Sequence, residues 1–95
     1  MQIIFEYHDV SASDRLEKFA TEKLEKLEKK FNFVHRADVF FKTENRTDDE
    51  EKICDIRLSM PGPRLFASSN SKSFTEAITE TTRELEAQLK KKQIN

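Results

Sequence analysis

The hydrophobic positions of this chain change their period several times along its length. Residues 2–8, QIIFEYH, put Ile3, Phe5 and Tyr7 on one side and Ile4 and Glu6 on the other, the spacing of a short strand. Asp9 to Ser13 is polar and turn-like. From Asp14 to Phe31 the apolar residues are Leu16, Phe19, Ala20, Leu24, Leu27 and Phe31, which share one face of a helix. Ser13 is placed to cap that helix, with Asp14 and Glu17 near the positive end of its dipole.

The period then shortens again. ADVFFKTE, Ala37 to Glu44, is a β-branched and aromatic run and predicts a second strand. NRTDDEE, residues 45–51, reads as a solvated acidic loop. KICDIRLSM alternates cleanly: Cys54, Ile56, Leu58 and Met60 on one face, Ile53, Asp55, Arg57 and Ser59 on the other. The turn Pro61-Gly62-Pro63 separates it from a fourth strand, Arg64 to Ser69, so residues 52–69 form a hairpin. A second helix is expected from Ser73 to Lys92, with Phe74, Ala77, Ile78, Thr81, Leu85 and Leu89 inward and Ser71 or Ser73 as its cap. The order β-α-β-β-β-α predicts an α+β fold: a two-layer sandwich of a four-stranded sheet with both helices on one face. Ninety-five residues predict one domain, spanning 1–95.

Charge sharpens this picture without deciding it. Seventeen basic residues face eighteen acidic ones. Many RNA-binding domains are strongly basic, so a nucleic-acid partner requires these charges to be segregated in space. At about 100° per residue, Arg15, Lys23, Lys26 and Lys30 fall on one flank of the first helix's apolar stripe. Glu17, Glu25 and Glu28 fall toward the other. Lys23 projects within the apolar arc, so its stem should cover the core and its ammonium emerge at the rim. Two meanings compete for this helix. Pattern alone favours a solvated face with i,i+4 pairs such as Glu22–Lys26 and Glu25–Lys29. If the lysines of the first helix and Lys90–Lys92 converge, they instead form a patch able to displace counterions from phosphates. Glu76, Glu80 and Glu84 form a ridge on the second helix that such a patch must avoid, and only Arg83 opposes it before the terminal lysines.

No motif points to catalysis. His8 and His35 have no ligand spacing with Cys54 or with paired carboxylates, so neither a metal nor a cofactor is expected. SSNSKSFT reads as a strand end followed by helix capping. The one glycine, Gly62, lies in a turn and not in a phosphate-cradling loop. Phe40 and Phe66 could offer stacking platforms, but packing into the sheet core is the commoner fate of such residues. The lone cysteine, Cys54, reads as a small core residue and predicts a reducing, cytoplasmic setting. MQIIFEYHDV lacks the features of a signal peptide, and no apolar run approaches a membrane span, so no membrane partner is expected.

The helix LEKFATEKLEKLEKKF, the strand VFFKTE, the hairpin DIRLSMPGPRLFASS and the ending SFTEAITETTRELEAQLKKK, in this order and spacing, resemble the short ribosome hibernation promoting factors and ribosome-associated translation inhibitors, also called sigma-factor modulation proteins. The resemblance covers essentially the whole chain. It implies the same β-α-β-β-β-α sandwich, similar in shape to double-stranded RNA-binding domains. It also implies binding to the small ribosomal subunit near the decoding centre, where ribosomal RNA is the main contact and ribosomal proteins lie within reach. The messenger RNA channel and the A and P sites would be blocked in starvation or stationary phase, with no enzymatic step and no small-molecule substrate. Lys23 and Lys26 match basic positions of the family's first helix, Lys42 a lysine late in the second strand, and Lys91 one near the end of the second helix. Relatives tend to carry basic residues where this chain has Glu84 and Ala87, and an acidic residue and a tyrosine where it has Ser73 and Thr75. The expected RNA-binding residues are thus Lys23, Lys26, Lys30, Lys42, Arg64, Lys90 and Lys91. The chain ends near the second helix, so the linker and extra domain with which longer members pair ribosomes are not expected. The alternative is a protein-interaction regulator, for example of a transcription factor, that keeps the fold without tight RNA binding. The acidic ridge and near-zero net charge motivate it.

Overall fold

Alternating apolar residues in the middle of the chain build a long hairpin, and everything else is laid against it. The computed structural model describes the backbone of residues 1–45 and 50–94, and side chains as far as residue 92. Its elements are β1 (Gln2–His8), α1 (Asp14–Lys30), β2 (Arg36–Asn45), β3 (Glu50–Ser59), β4 (Leu65–Ser71) and α2 (Phe74–Ile94). The sheet order is β1-β2-β3-β4. β1 runs parallel to β2, with Phe5 opposite Val39, because the α1 crossover returns the chain in the same direction. β2–β3 and β3–β4 are antiparallel, with Val39 opposite Ile56 and Ile56 opposite Ala67.

The strand period of two sends one set of side chains to the helices. Ala37, Val39 and Phe41 of β2 and Cys54, Ile56 and Leu58 of β3 are completely buried. They form one core with Leu16, Ala20, Leu24 and Leu27 of α1 and Ala77, Ile78, Leu85 and Leu89 of α2. The other sheet face carries no helix, and Glu6, His8, Arg36, Phe66, Ser68 and Asn70 are exposed on it. Both helices therefore lie on one side of the sheet, as the pattern predicts.

Capping fixes where the helices begin. The Ser13 Oγ accepts from the Leu16 N–H at 3.2 Å, and the Ser73 Oγ accepts from the Glu76 N–H at 3.2 Å. A cap of this kind contributes about 1 kcal/mol. Of the two serines considered for α2, Ser73 holds the cap, since Ser71 belongs to β4. Tyr7 joins β1 to the start of α1, donating to Glu17 Oε2 at 2.7 Å and accepting from the Ser13 N–H at 3.3 Å.

The structure departs from the pattern at several points. β4 runs from Leu65 to Ser71 rather than from Arg64 to Ser69, because the ladder to β3 continues through Ile53–Asn70 and Lys52–Ser71. Asn45, Glu50 and Glu51, expected in an acidic loop, are paired in the β2–β3 ladder, where backbone hydrogen bonding overrides side-chain charge. The rest of that loop, residues 46–49, lies outside the described residues. Phe66, expected to favour the core, is 54% exposed on the helix-free face. Its register opposite Arg57 gives it the parity of the outward side chains.

Thr81 is completely buried and donates to the Cys54 carbonyl at 3.0 Å, so its hydroxyl is satisfied within the core. Burial pushes the Cys54 thiol up to about 12, with the Asp55 charge adding to the effect. A raised folded-state value means that the folded protein holds the thiol proton longer than the unfolded chain. This contribution to stability is intact below about pH 8.5, where a free thiol begins to ionise, and is lost as pH rises toward 12. Cys54 is expected to react with an aromatic disulfide reagent at neutral pH only as fast as the protein unfolds. Rapid labelling of native protein would contradict this account of the thiol.

Candidate polyanion-binding cleft

The phase of α1 puts Lys23, Lys26 and Lys30 on one flank, and the topology decides what that flank meets. α2 packs directly beside α1. Between the two helices lies a cleft of about 370 Å³. Lys23, Lys26, Lys29 and Lys30 line it from α1, Arg83 and Glu86 from α2, over a floor that includes Leu27 and Thr82. Leu27 and Thr82 are buried, so their positions are set by the core and the cations are carried on a rigid base. Thr82 satisfies its hydroxyl on the Ile78 carbonyl at 2.9 Å.

The two lysine groups converge. Lys30 Nζ is 2.9 Å from Glu86 Oε2, and Lys90 Nζ is 3.6 Å from the same oxygen. The hydrogen bond from Lys30 chiefly holds the Glu86 carboxyl below the usual carboxylate range, with Lys90 adding to it and partial burial opposing. Lys23 lays its stem along the core rim as expected, its ammonium 5.4 Å from the centre of the Phe19 ring. Among the described residues, Lys23, Lys26, Lys29 and Arg83 have no carboxylate at ion-pair distance. The expected i,i+4 pairs Glu22–Lys26 and Glu25–Lys29 are therefore not closed. Cations without partners, gathered over a low-dielectric floor, raise the local positive potential even though the whole chain is slightly acidic.

Other expected residues lie elsewhere. Lys91 is exposed on the last turns of α2, outside the cleft. Arg64 is exposed in the turn between β3 and β4. Lys42 stands on the helix-free sheet face and pairs with Asp55 at 3.1 Å. Arg15 shares α1's basic flank but borders a neighbouring groove with Phe19, Glu76, Glu80 and Arg83. Glu76 and Glu80 thus stay out of the lysine cleft, and Glu84 lines neither groove. Sequence reasoning did not single out Lys29 and Arg83 as cleft residues. The signal for Arg83 was available, since it shares a helical flank with Thr79, Glu86 and Lys90. Which flank of α2 faces α1, however, depends on the order of elements across the sheet.

These features define a class: a small α+β domain that presents a cationic cleft between two helices. Comparison with family models goes a step further. Residues 3–93 match the family described as sigma 54 modulation protein / S30EA ribosomal protein, and the chain belongs to that family. A ribosomal subunit interface protein from Coxiella burnetii is similar in structure, with TM-score 0.88 and 22% identity over 100% of both chains. The N-terminal domain of Thermus thermophilus Protein Y is similar with TM-score 0.80 and 17% identity, covering 96% of this chain and 98% of that one. At such identities these likenesses concern the fold. No curated protein sequence matches the chain.

Proposed function

We propose that this chain binds the small ribosomal subunit near the decoding centre and holds ribosomes inactive under starvation or in stationary phase. Bound there, it occupies the channel used by messenger RNA and by transfer RNA in the A and P sites, and translation stops by steric exclusion. Family membership supports a ribosome-associated role in modulating translation, and the family is in general not one of enzymes. The reading implies a cytoplasmic location, and among the described residues no helix is long and apolar enough to cross a membrane.

One observation carries the proposal. Lys30 and Lys90, 60 positions apart in sequence, meet at one carboxylate beside Lys23, Lys26, Lys29 and Arg83. Such a cluster suits the closely spaced phosphates of folded RNA. Lys91 and Arg64 would extend the footprint at its margins. Lys42, on the opposite face, would serve a second wall of the channel.

Sedimentation with small subunits across a salt series tests this. With about five phosphates engaged, log affinity falls against log salt with a slope of about −3.5 to −4.5. That corresponds to a loss of roughly 100- to 500-fold between 50 and 200 mM salt. Absence of binding even at low salt would sink the proposal. A protein partner is the second reading, motivated by the exposed acidic ridge of Glu76, Glu80 and Glu84 and by the near-zero net charge. Under that reading, charge reversal in the cleft leaves partner binding intact.

A further inference from the structure

We propose that Glu86 is a built-in competitor for phosphate: its carboxylate occupies the seat between Lys30 and Lys90 that an RNA phosphate takes on binding. This rests on the polyanion reading of the cleft and concerns how that site chooses its ligand.

Three observations support the assignment. Glu86 is the one carboxylate among the residues lining the cleft, against five cations. One of its oxygens meets ammoniums from both helices, Lys30 at 2.9 Å and Lys90 at 3.6 Å. A bridging phosphate oxygen makes the same pair of contacts. Both lysine side chains are mostly exposed, at 61% and 65%. Ion pairs so close to water are weak and readily exchanged, so the carboxylate can swing out when a stronger anion arrives.

The competition has a direction. Lys30 holds the Glu86 carboxyl below the usual carboxylate range, so it stays charged near neutral pH and is displaced by another anion rather than by protonation. A lone phosphate arriving at Lys30 and Lys90 exchanges one anion for another and gains little. A polyanion that displaces Glu86 also reaches Lys23, Lys26, Lys29 and Arg83, which have no carboxylate of their own to give up. Glu86 thus makes the cleft discriminate between isolated phosphate and a phosphate backbone. It also lowers the charge that the free protein presents to other nucleic acids.

The test compares wild type with Glu86→Gln, which keeps the shape and helix propensity of the side chain. Both are titrated with two probes, small ribosomal subunits and a 12-nucleotide oligouridylate, at matched salt. The expected result is about three- to five-fold tighter binding of each probe by Glu86→Gln, as the loss of an exposed competing ion pair implies. The salt slope should also steepen. In a Lys30→Met background, the gain from Glu86→Gln should shrink, because the carboxylate then has less to withhold. A merely structural Glu86 would show weaker binding or a lower melting temperature on substitution, and not tighter binding. Equal or weaker binding of both probes by Glu86→Gln overturns the inference while leaving ribosome binding standing. Tighter oligouridylate binding without any subunit binding keeps the inference and overturns the ribosome reading. If wild type and Glu86→Gln bind neither probe at low salt, both fall.

Discussion

If the chain binds ribosomes as proposed, the variant Lys23→Glu, Lys26→Glu is expected to lose affinity for small ribosomal subunits by at least about 100-fold at moderate salt. Each substitution removes a phosphate contact and replaces it with repulsion, so the cleft changes by four charge units. The structure gives these changes little to break in the fold. Lys26 is exposed, and neither lysine has a carboxylate at ion-pair distance among the described residues. Lys23 gives up its approach to the Phe19 ring, worth about 0.5–1 kcal/mol at a surface site. Thermal unfolding should therefore stay near wild type while cosedimentation collapses. Lys18→Glu is the control. It reverses one charge on the same helix, but Lys18 is exposed and does not line the cleft. Its effect on binding should be a few-fold at most, through general charge alone. Equal losses in both variants would mean that net charge, and not the cleft, governs binding.

Phe41→Ala is expected to remove about 3–5 kcal/mol of folding stability. Phe41 is completely buried at the centre of the sheet. Its ring meets Phe5 at 6.2 Å in a stacked arrangement, Tyr7 at 5.3 Å, and Phe74 edge-on at 5.4 Å. One side chain therefore joins β1, β2 and the start of α2. Truncation loses the ring's burial and leaves a cavity walled by three other aromatic rings, which cannot collapse without moving separate elements. Domains of this size have about 5–15 kcal/mol in total, so the variant would sit near the threshold of folding. Equilibrium denaturation in urea measures the change. A loss below about 2 kcal/mol would mean that this cluster is not the keystone its geometry suggests.

Much of the site was legible in the sequence, residue by residue. The helical phases identified Lys23, Lys26 and Lys30 as one flank, and Lys23 as a rim residue, because α-helical geometry is nearly invariant. The same spacing marked Glu76, Glu80 and Glu84 as one ridge, and none of the three lines the lysine cleft. Pattern failed where the deciding partner was remote in sequence. The pairs Glu22–Lys26 and Glu25–Lys29 have the right spacing, but local spacing only permits an ion pair. Lys30 instead finds Glu86 across the cleft. Phe66 looked like a core residue by type, yet strand register turned it outward.

Local rules thus determined the elements and their order. Period two in β3, period 3.6 in the helices, Ser13 and Ser73 at the caps, and the turn at Gly62 follow from interactions between residues a few positions apart. Even the two-layer arrangement was implied, since each helix has one apolar stripe and a β-sheet can cover both. The tertiary structure alone decided that α1 and α2 lie side by side and that their basic flanks face each other. It alone brought Glu86 between Lys30 and Lys90. The physical reason is that charge works through distance in space, whereas sequence specifies distance only along the chain. A chain of net charge −1 becomes locally cationic only when folding gathers cations from both helices at one cleft and leaves all but one of the nearby carboxylates outside it.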